Sequence, residues 1–193
     1  MKNLERGATL QQLVLSVAII GTVAAIALPS VTKMLPNYRL NRAARALIAS
    51  IHGAKLKAIQ RRCIFYVDFD VDGDGDLQSG GCVVWEDRNG NLRRELLEMS
   101  DTVWNLELFP GVYLGALPVE LGGPRRGPNN TKVSAGGGDG VSFSHNRIKF
   151  NPNCTCSTGT IYLHNRNGRT FAIRLRHNAL TQLWRHDGSN WER

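Results

Sequence analysis

The sequence predicts an α+β chain in which one long N-terminal helix precedes an antiparallel β domain. An uncharged apolar run extends from Leu10 to Leu28. Beyond Pro29, the residues Leu40, Ala43, Ala44, Leu47, Ile51, Ala54 and Ala58 recur at three- and four-residue spacings, the period of one helix face. From Cys63 onward short runs rich in β-branched and aromatic residues alternate with Gly, Asn, Asp or Pro, which is the signature of strands and turns. The amphipathic stripe would cover the sheet, and roughly 130 residues after it bury one core with little room for a second domain.

The first element holds ten Leu, Ile or Val residues between Leu10 and Leu28. Its nineteen residues reach ~28 Å at ~1.5 Å per residue, close to a ~30 Å hydrocarbon core. On an insertion scale those apolar residues contribute roughly −3 to −6 kcal/mol, more than Gln12, Ser16 and Thr22 oppose. A membrane-spanning helix is therefore expected over residues 8–29, behind a short basic leader, residues 1–7, that carries Lys2 and Arg6. The rival is a secretory signal peptide cut near Ala24, Ala25 or Ala27. Such peptides have apolar cores of about 7–15 residues and then turn polar, whereas this chain continues as a helix.

The second element, residues 30–62, is expected to be an amphipathic helix kinked or interrupted at Pro36, with Pro29 a second candidate, because proline lacks an amide donor and crowds the preceding turn. Gly53 within it marks either close packing or a weak point. In the β domain, residues 63–193, the expected strands are CIFYVDFD, CVVWED, VSFS, RIKFN, GTIYLHN, GRTFAIRLR and QLWRHDG. The Gly- and Pro-rich stretch from Gly122 to Gly140 reads as a mobile inserted loop.

The net charge of +8 is segmented. Residues 1–62 carry ten basic groups against Glu5, residues 63–139 six against thirteen acidic ones, and residues 140–193 eight against two. A basic stalk is more often a headgroup or subunit contact than a nucleic-acid site. No Gly-rich phosphate loop, serine elbow, paired catalytic carboxylates or zinc-hydrolase motif is present, so catalysis is not expected.

Gly7 followed by Ala-Thr-Leu, and then LVLSVAIIGTVAAIALPSV, resembles the signal and N-terminal helix of type IV pilins and type II secretion pseudopilins. The stretch GTIYLHN-x-NGRTFAIRL, the tryptophan strand after it and DGSNW at the end resemble the β domain of the H-type minor pseudopilins. The resemblance implies a pilin fold, cleavage between Gly7 and Ala8 by a prepilin peptidase, and methylation of the new amino terminus at Ala8. It further implies a single-pass protein of the cell inner membrane with its C-terminal domain in the periplasm, partnered by other subunits and an inner-membrane assembly platform. Lys33, Arg39, Arg42 and Arg45 outnumber Lys2 and Arg6, so charge counting alone would orient the span the other way; the leader resemblance decides for the amino terminus inside.

One position departs from the family. Its members usually carry glutamate at the fifth mature residue, to meet a neighbour's amino terminus during assembly, and here that residue is Gln12. An amide still accepts a hydrogen bond but forgoes the charge-assisted contact. Together with Pro29 it marks the assembly region, and the substitution favours a low-copy subunit. The expected function is thus a minor pseudopilin of a type II secretion system, and the alternative is a minor type IV pilin that contacts DNA for uptake.

No cofactor is required by this reading, but Asp70, Asp72, Asp74 and Asp76 alternate before and around Gly75 like the opening half of a calcium loop. Gly81 stands where a closing glutamate belongs, so Glu86 or Asp87 would have to reach back. A polar hairpin turn explains the same residues equally well, and an arginine such as Arg93 or Arg94 could serve as the neighbouring cation. In the oxidising compartment that the resemblance implies, Cys63, Cys82, Cys154 and Cys156 are disulfide candidates. Cys154 and Cys156 are too close in sequence to pair easily with each other, and a bond from one or both to Cys63 or Cys82 is expected. Zinc thiolate is the weaker alternative, because no C-x₂-C pair is present. The five histidines show no metal or triad spacing.

Strand alternation along GRTFAIRLR puts Phe171, Ile173 and Leu175 on one face and Arg174 and Arg176 on the other. With Arg169, Arg166 and Arg185 nearby and Trp184 or Trp191 to stack, they form a candidate contact for DNA or a partner. The DNA-binding relatives carry G-R-x-x-R near the end, whereas Gly168-Arg169 is followed here by Thr-Phe-Ala.

Overall fold

The computed structural model describes residues 10–69, 81–93, 99–128, 133 and 140–193, with the side chains of 26–33 and 99–103 outside that description. The chain divides into two compact units, Met1–Leu35 and Pro36–Arg193. A helix, α1, runs Leu10–Arg61. Both Pro29 and Pro36 lie within it, so the interruption expected at Pro36 does not occur. Proline removes only its own ladder bond, and the bonds of neighbouring turns carry the helix past it.

In the first unit the described large apolar side chains of α1 are exposed, from Leu10 to Val23. Ser16 Oγ donates to the Gln12 carbonyl and Thr22 Oγ1 to the Ala18 carbonyl, each at 2.8 Å. Among the described residues no helix is long and apolar enough to cross a membrane. That finding overturns the single-pass inner-membrane localisation expected above.

The second unit is α+β, built from the rest of α1 and two antiparallel sheets. All seven stripe residues, Leu40 to Ala58, are at most 1% exposed, as the periodicity predicts. The strands are β1 Ile64–Asp68, β2 Gly81–Asp87, β3 Met99–Asn105, β4 Val112–Leu114, β5 Arg147–Phe150, β6 Gly159–Asn165, β7 Thr170–Leu175, β8 Thr181–His186 and β9 Trp191–Glu192. The first sheet has the order β3-β2-β1-β5 and the second β4-β6-β7-β8-β9. Every pairing is antiparallel.

Six of the seven expected strand segments are found. VSFS is the exception. It makes only an isolated bridge, Val141 to Ile161, because the chain turns at Ser144–Asn146 through positive φ at His145. Phe65, Val67, Cys82, Val84, Ile148 and Phe150 from the first sheet and Ile161, Leu163, Phe171, Ile173 and Leu175 from the second share one hydrophobic cluster with the helix stripe. Trp104 closes this core at β3 and donates its indole N–H to the Ala43 carbonyl.

Part of the stretch expected to be a mobile insertion is packed instead. Residues 117–128 lie against the second sheet, held by the Leu117 N–H on Thr170 Oγ1 and by Trp191 Nε1, which donates to the Arg126 carbonyl at 2.7 Å. Gly123 is required there: a Cβ would lie 1.7 Å from the Leu117 carbonyl oxygen.

Candidate functional site

The most unusual surface is the exposed part of α1 in the first unit. Leu13, Val17 and Ile20 are each 61–67% exposed, and apolar side chains occupy every face of the helix rather than one stripe. Soluble proteins rarely expose so continuous an apolar surface without a partner for it. The two hydroxyls are bonded to the helix's own carbonyls, the local back-bonding Ser and Thr make in the middle of helices. Ala18, Gly21 and Ala25 follow one another at helical spacing, and nothing lies within 4 Å of a Cβ built on Gly21, so another helix could approach closely there.

Gln12 lies at the exposed start of this surface. Gly7 and Ala8 lie outside the described residues, as does the side chain of Pro29. Asp70, Asp72, Asp74 and Asp76 are likewise outside them. Among the described residues no group of three or more His, Cys, Asp or Glu could hold a metal ion.

The acidic residues next to that segment are engaged in ways the sequence did not suggest. Asp68 is paired with Arg147, whose Nη2 lies 2.7 Å from Oδ2; Arg94, one of the cations expected near the aspartates, lies outside the described residues. The same guanidinium lies over the stacked rings of Tyr66 and Trp85, 5.5 and 5.1 Å from their centroids. Glu86 accepts from Arg61 at 2.6 Å, from Arg88 at 3.2 Å and from the Cys63 thiol at 3.3 Å. Burial pushes its carboxyl upward, but the hydrogen bonds from Arg61, Cys63 and Arg88 outweigh that and hold it below its usual value. Asp87 is buried with neither carboxylate oxygen hydrogen-bonded, and burial followed by its charge raises the Tyr66 phenol.

The expected disulfides are not formed; all four cysteines are free. Each belongs to a different local environment. Cys63 donates to Glu86, Cys82 is fully buried in β2, Cys154 sits on an exposed turn with positive φ, and Cys156 donates to the Arg176 carbonyl at 3.1 Å. Burial, then Glu86, pushes the Cys63 thiol up to about 11, and burial alone pushes Cys82 up to about 12. Burial raises Cys156 too. Thiols held protonated are poor nucleophiles and poor zinc ligands.

The arginines of β7 do not project together from an exposed strand. Phe171, Ile173 and Leu175 enter the core as alternation requires, but Arg174 is half-buried and its Nη1 has no hydrogen-bond partner. Arg176 lies beyond the strand end with its N–H on the Leu180 carbonyl, and Arg169 is exposed in the β6–β7 turn. The reason is the covering of the second sheet's outer face, which edge-blind alternation treats as solvent.

That cover creates a groove of about 700 Å³, lined by Arg125 and Arg126 from the 117–128 segment and by His186, Ser189, Asn190 and Trp191 from the β8–β9 end. His186 accepts the Gly188 N–H on Nδ1 and packs against Trp191 at 5.0 Å; burial lowers its pKa against the opposing charge of Asp187. The sequence signals that could have located it are the paired arginines inside GGPRRGP and the terminal tryptophan. Comparison of the chain with family models, with curated proteins and with solved structures finds no match.

Proposed function

We propose that this protein is a filament subunit with a pilin fold, a low-copy pseudopilin of type II secretion that assembles through its N-terminal helix. The observation that carries the reading is the uncovered apolar surface from Leu10 to Val23 on a helix whose later stripe residues, Leu40, Ala43, Ala44, Leu47, Ile51, Ala54 and Ala58, are at most 1% exposed. A helix covered at one end and bare at the other is suited to pack its bare end among equivalent helices of neighbouring subunits, as the leader-like sequence at Gly7 and Ala8 also suggests. Gln12 in place of the usual glutamate supports a specialised position over a repeated one. The arrangement works by association and includes no catalytic step.

Mass spectrometry of the chain purified from its own cells tests the reading. The expected result is an amino terminus at a methylated Ala8, with a photo-cross-linker placed at Leu13 or Ile20 yielding adducts to other helical subunits. An intact Met1, or cross-linkers at both positions that capture no subunit, would overturn it. Gln12→Glu is expected to leave cleavage after Gly7 intact and to increase incorporation along the filament.

A further inference from the structure

The second sheet ends in a strand that is only partly paired. β8 spans Thr181–His186, but its outer neighbour β9 is only Trp191–Glu192 and pairs with Arg185 and His186 alone. Thr181 to Trp184 have β7 on one side and, among the described residues, no strand on the other. The hydrogen bonds fix which main-chain groups face that open side, because in an antiparallel ladder residues that exchange bonds alternate with residues that point away. The Arg176 N–H donates to the Leu180 carbonyl at 3.1 Å, in step with the β7–β8 register. Gln182 and Trp184 accordingly bond toward β7, and Thr181, Leu183 and Arg185 point outward. The Asp187 N–H on the Asn190 carbonyl, in step with the β8–β9 register, gives the same assignment. Arg185 is met by Glu192; among the described residues no main-chain bond reaches Thr181 or Leu183 on that side.

The other edges are blunted, which sets this one apart. β5 is occupied on its outer side by the Ser157 N–H on the Lys149 carbonyl and by the Phe150–Cys156 bridge. β3 shifts register twice against β2, and β4 is limited to Val112–Leu114. Irregularity and short length are ways in which proteins spoil an edge as a template for further strands. The run Thr181-Gln182-Leu183-Trp184 has no charge, proline, glycine or register shift. Leu183 and Trp184 are half-buried and, as neighbours along a strand, lie on opposite faces of it.

We propose that β8 accepts, beside Thr181–Trp184 and in line with β9, an added strand from a different protein: an extended, uncharged segment rich in β-branched residues. Its main chain would bond the outward N–H and C=O of Thr181 and Leu183, the mode in which a peptide extends an open sheet edge. Its β-branched side chains would pair across the ladder with Leu183 and Trp184. A second copy of this chain fits worse. Residues 140–193, which carry the edge, hold eight basic groups against two acidic ones, so two such edges brought side by side repel each other.

The test uses the full chain and two probes, acetyl-Thr-Val-Thr-Val-Thr-amide and the same peptide with every nitrogen methylated, which keeps the side chains and removes the donors. Calorimetry should show the unmethylated peptide binding about tenfold tighter or more. Amide hydrogen exchange followed by NMR should slow at Thr181 and Leu183 on binding and stay unchanged at Gln182 and Trp184, which already bond to β7. Leu183→Pro removes one outward donor at an edge position, where proline is tolerated, and should weaken binding about fivefold. Leu183→Ala keeps that donor and measures what the side chain alone contributes. Should the proline variant fail to melt cooperatively, the methylated peptide on the unaltered chain still decides. Equal binding of the two peptides, no added protection at Leu183, or equal loss of binding in the proline and alanine variants would each overturn the proposal. A dimer of the free chain that protects the same two amides would overturn it in favour of a second copy. None of these outcomes depends on the apolar end of the helix, so the strand edge and the assembly reading stand or fall separately.

Discussion

Two stretches of the same helix, Leu10–Val23 and Leu40–Ala58, both carry many apolar residues, yet those of the first are bare while the seven stripe residues of the second are at most 1% exposed. The difference lies in pattern. Around the first stretch apolar residues occupy every face, so no single sheet could cover them. In the second they form one stripe, and Arg42, Arg45, His52 and Gln60 keep the other side exposed. A striped helix is completed by its own chain. One that is apolar all round needs several neighbours, as helices in a bundle or filament have.

Substitution of equivalent residues in the two stretches is the sharpest way to break the comparison. Leu47→Asp buries an unpaired charge in the core and is expected to abolish folding, a loss above about 4 kcal/mol. Leu15→Asp should change stability by less than about 0.5 kcal/mol while removing subunit cross-links. Denaturant titration of both variants measures this, and a comparable loss of stability in Leu15→Asp would show that the first stretch is covered within the chain.

Next in size, Arg147→Ala strands the nearly buried Asp68 carboxylate and should cost about 3–5 kcal/mol. The double variant with Asp68→Asn should recover much of that loss in thermal melts, which would place the effect in the pair and not in ring packing over Tyr66 and Trp85. An unimproved double variant would assign it to the rings.

The acid limb of stability reports on the junction where the covered helix ends. The carboxyl of Glu86 is held below its ordinary 4.5, so its contribution is complete above that value and is lost as the pH falls through the lower folded value. Glu86→Gln should therefore be less stable than wild type at neutral pH and converge with it in strong acid. Parallel pH curves would refute the role given to Arg61, Arg88 and Cys63.

The smallest effect belongs to the second sheet. His164 and His186 are both lowered from 6.5 by burial, so the folded state favours the neutral rings. Their contribution is present above the unfolded value and declines as the pH drops below it. A shallow loss of melting temperature between about pH 6.5 and 5.5, flattened in His164→Gln/His186→Gln, is the expected result.

Much of the fold could be read in advance because its signals are local. The seven stripe residues of α1 and the alternation of Phe171, Ile173 and Leu175 in β7 identified core side chains directly. β3, β4 and β9 escaped notice: β3 is an edge strand whose register shifts twice against β2, while β4 and β9 are too short to show a period. The cysteines misled because composition and compartment say nothing of where four thiols come to rest. Arg147 was invisible as the partner of Asp68, since 79 positions separate them.

By itself, then, the sequence determined the helix, the stripe on it, the strand content and the segmented charge, because each depends on spacings of a few residues. Only the tertiary structure decided that there are two sheets, that residues 117–128 cover one of them, that Arg174 is half-buried, and that Arg125 and Arg126 line a groove with Trp191. Those outcomes depend on which distant surfaces exclude water from one another, a property that no local period encodes.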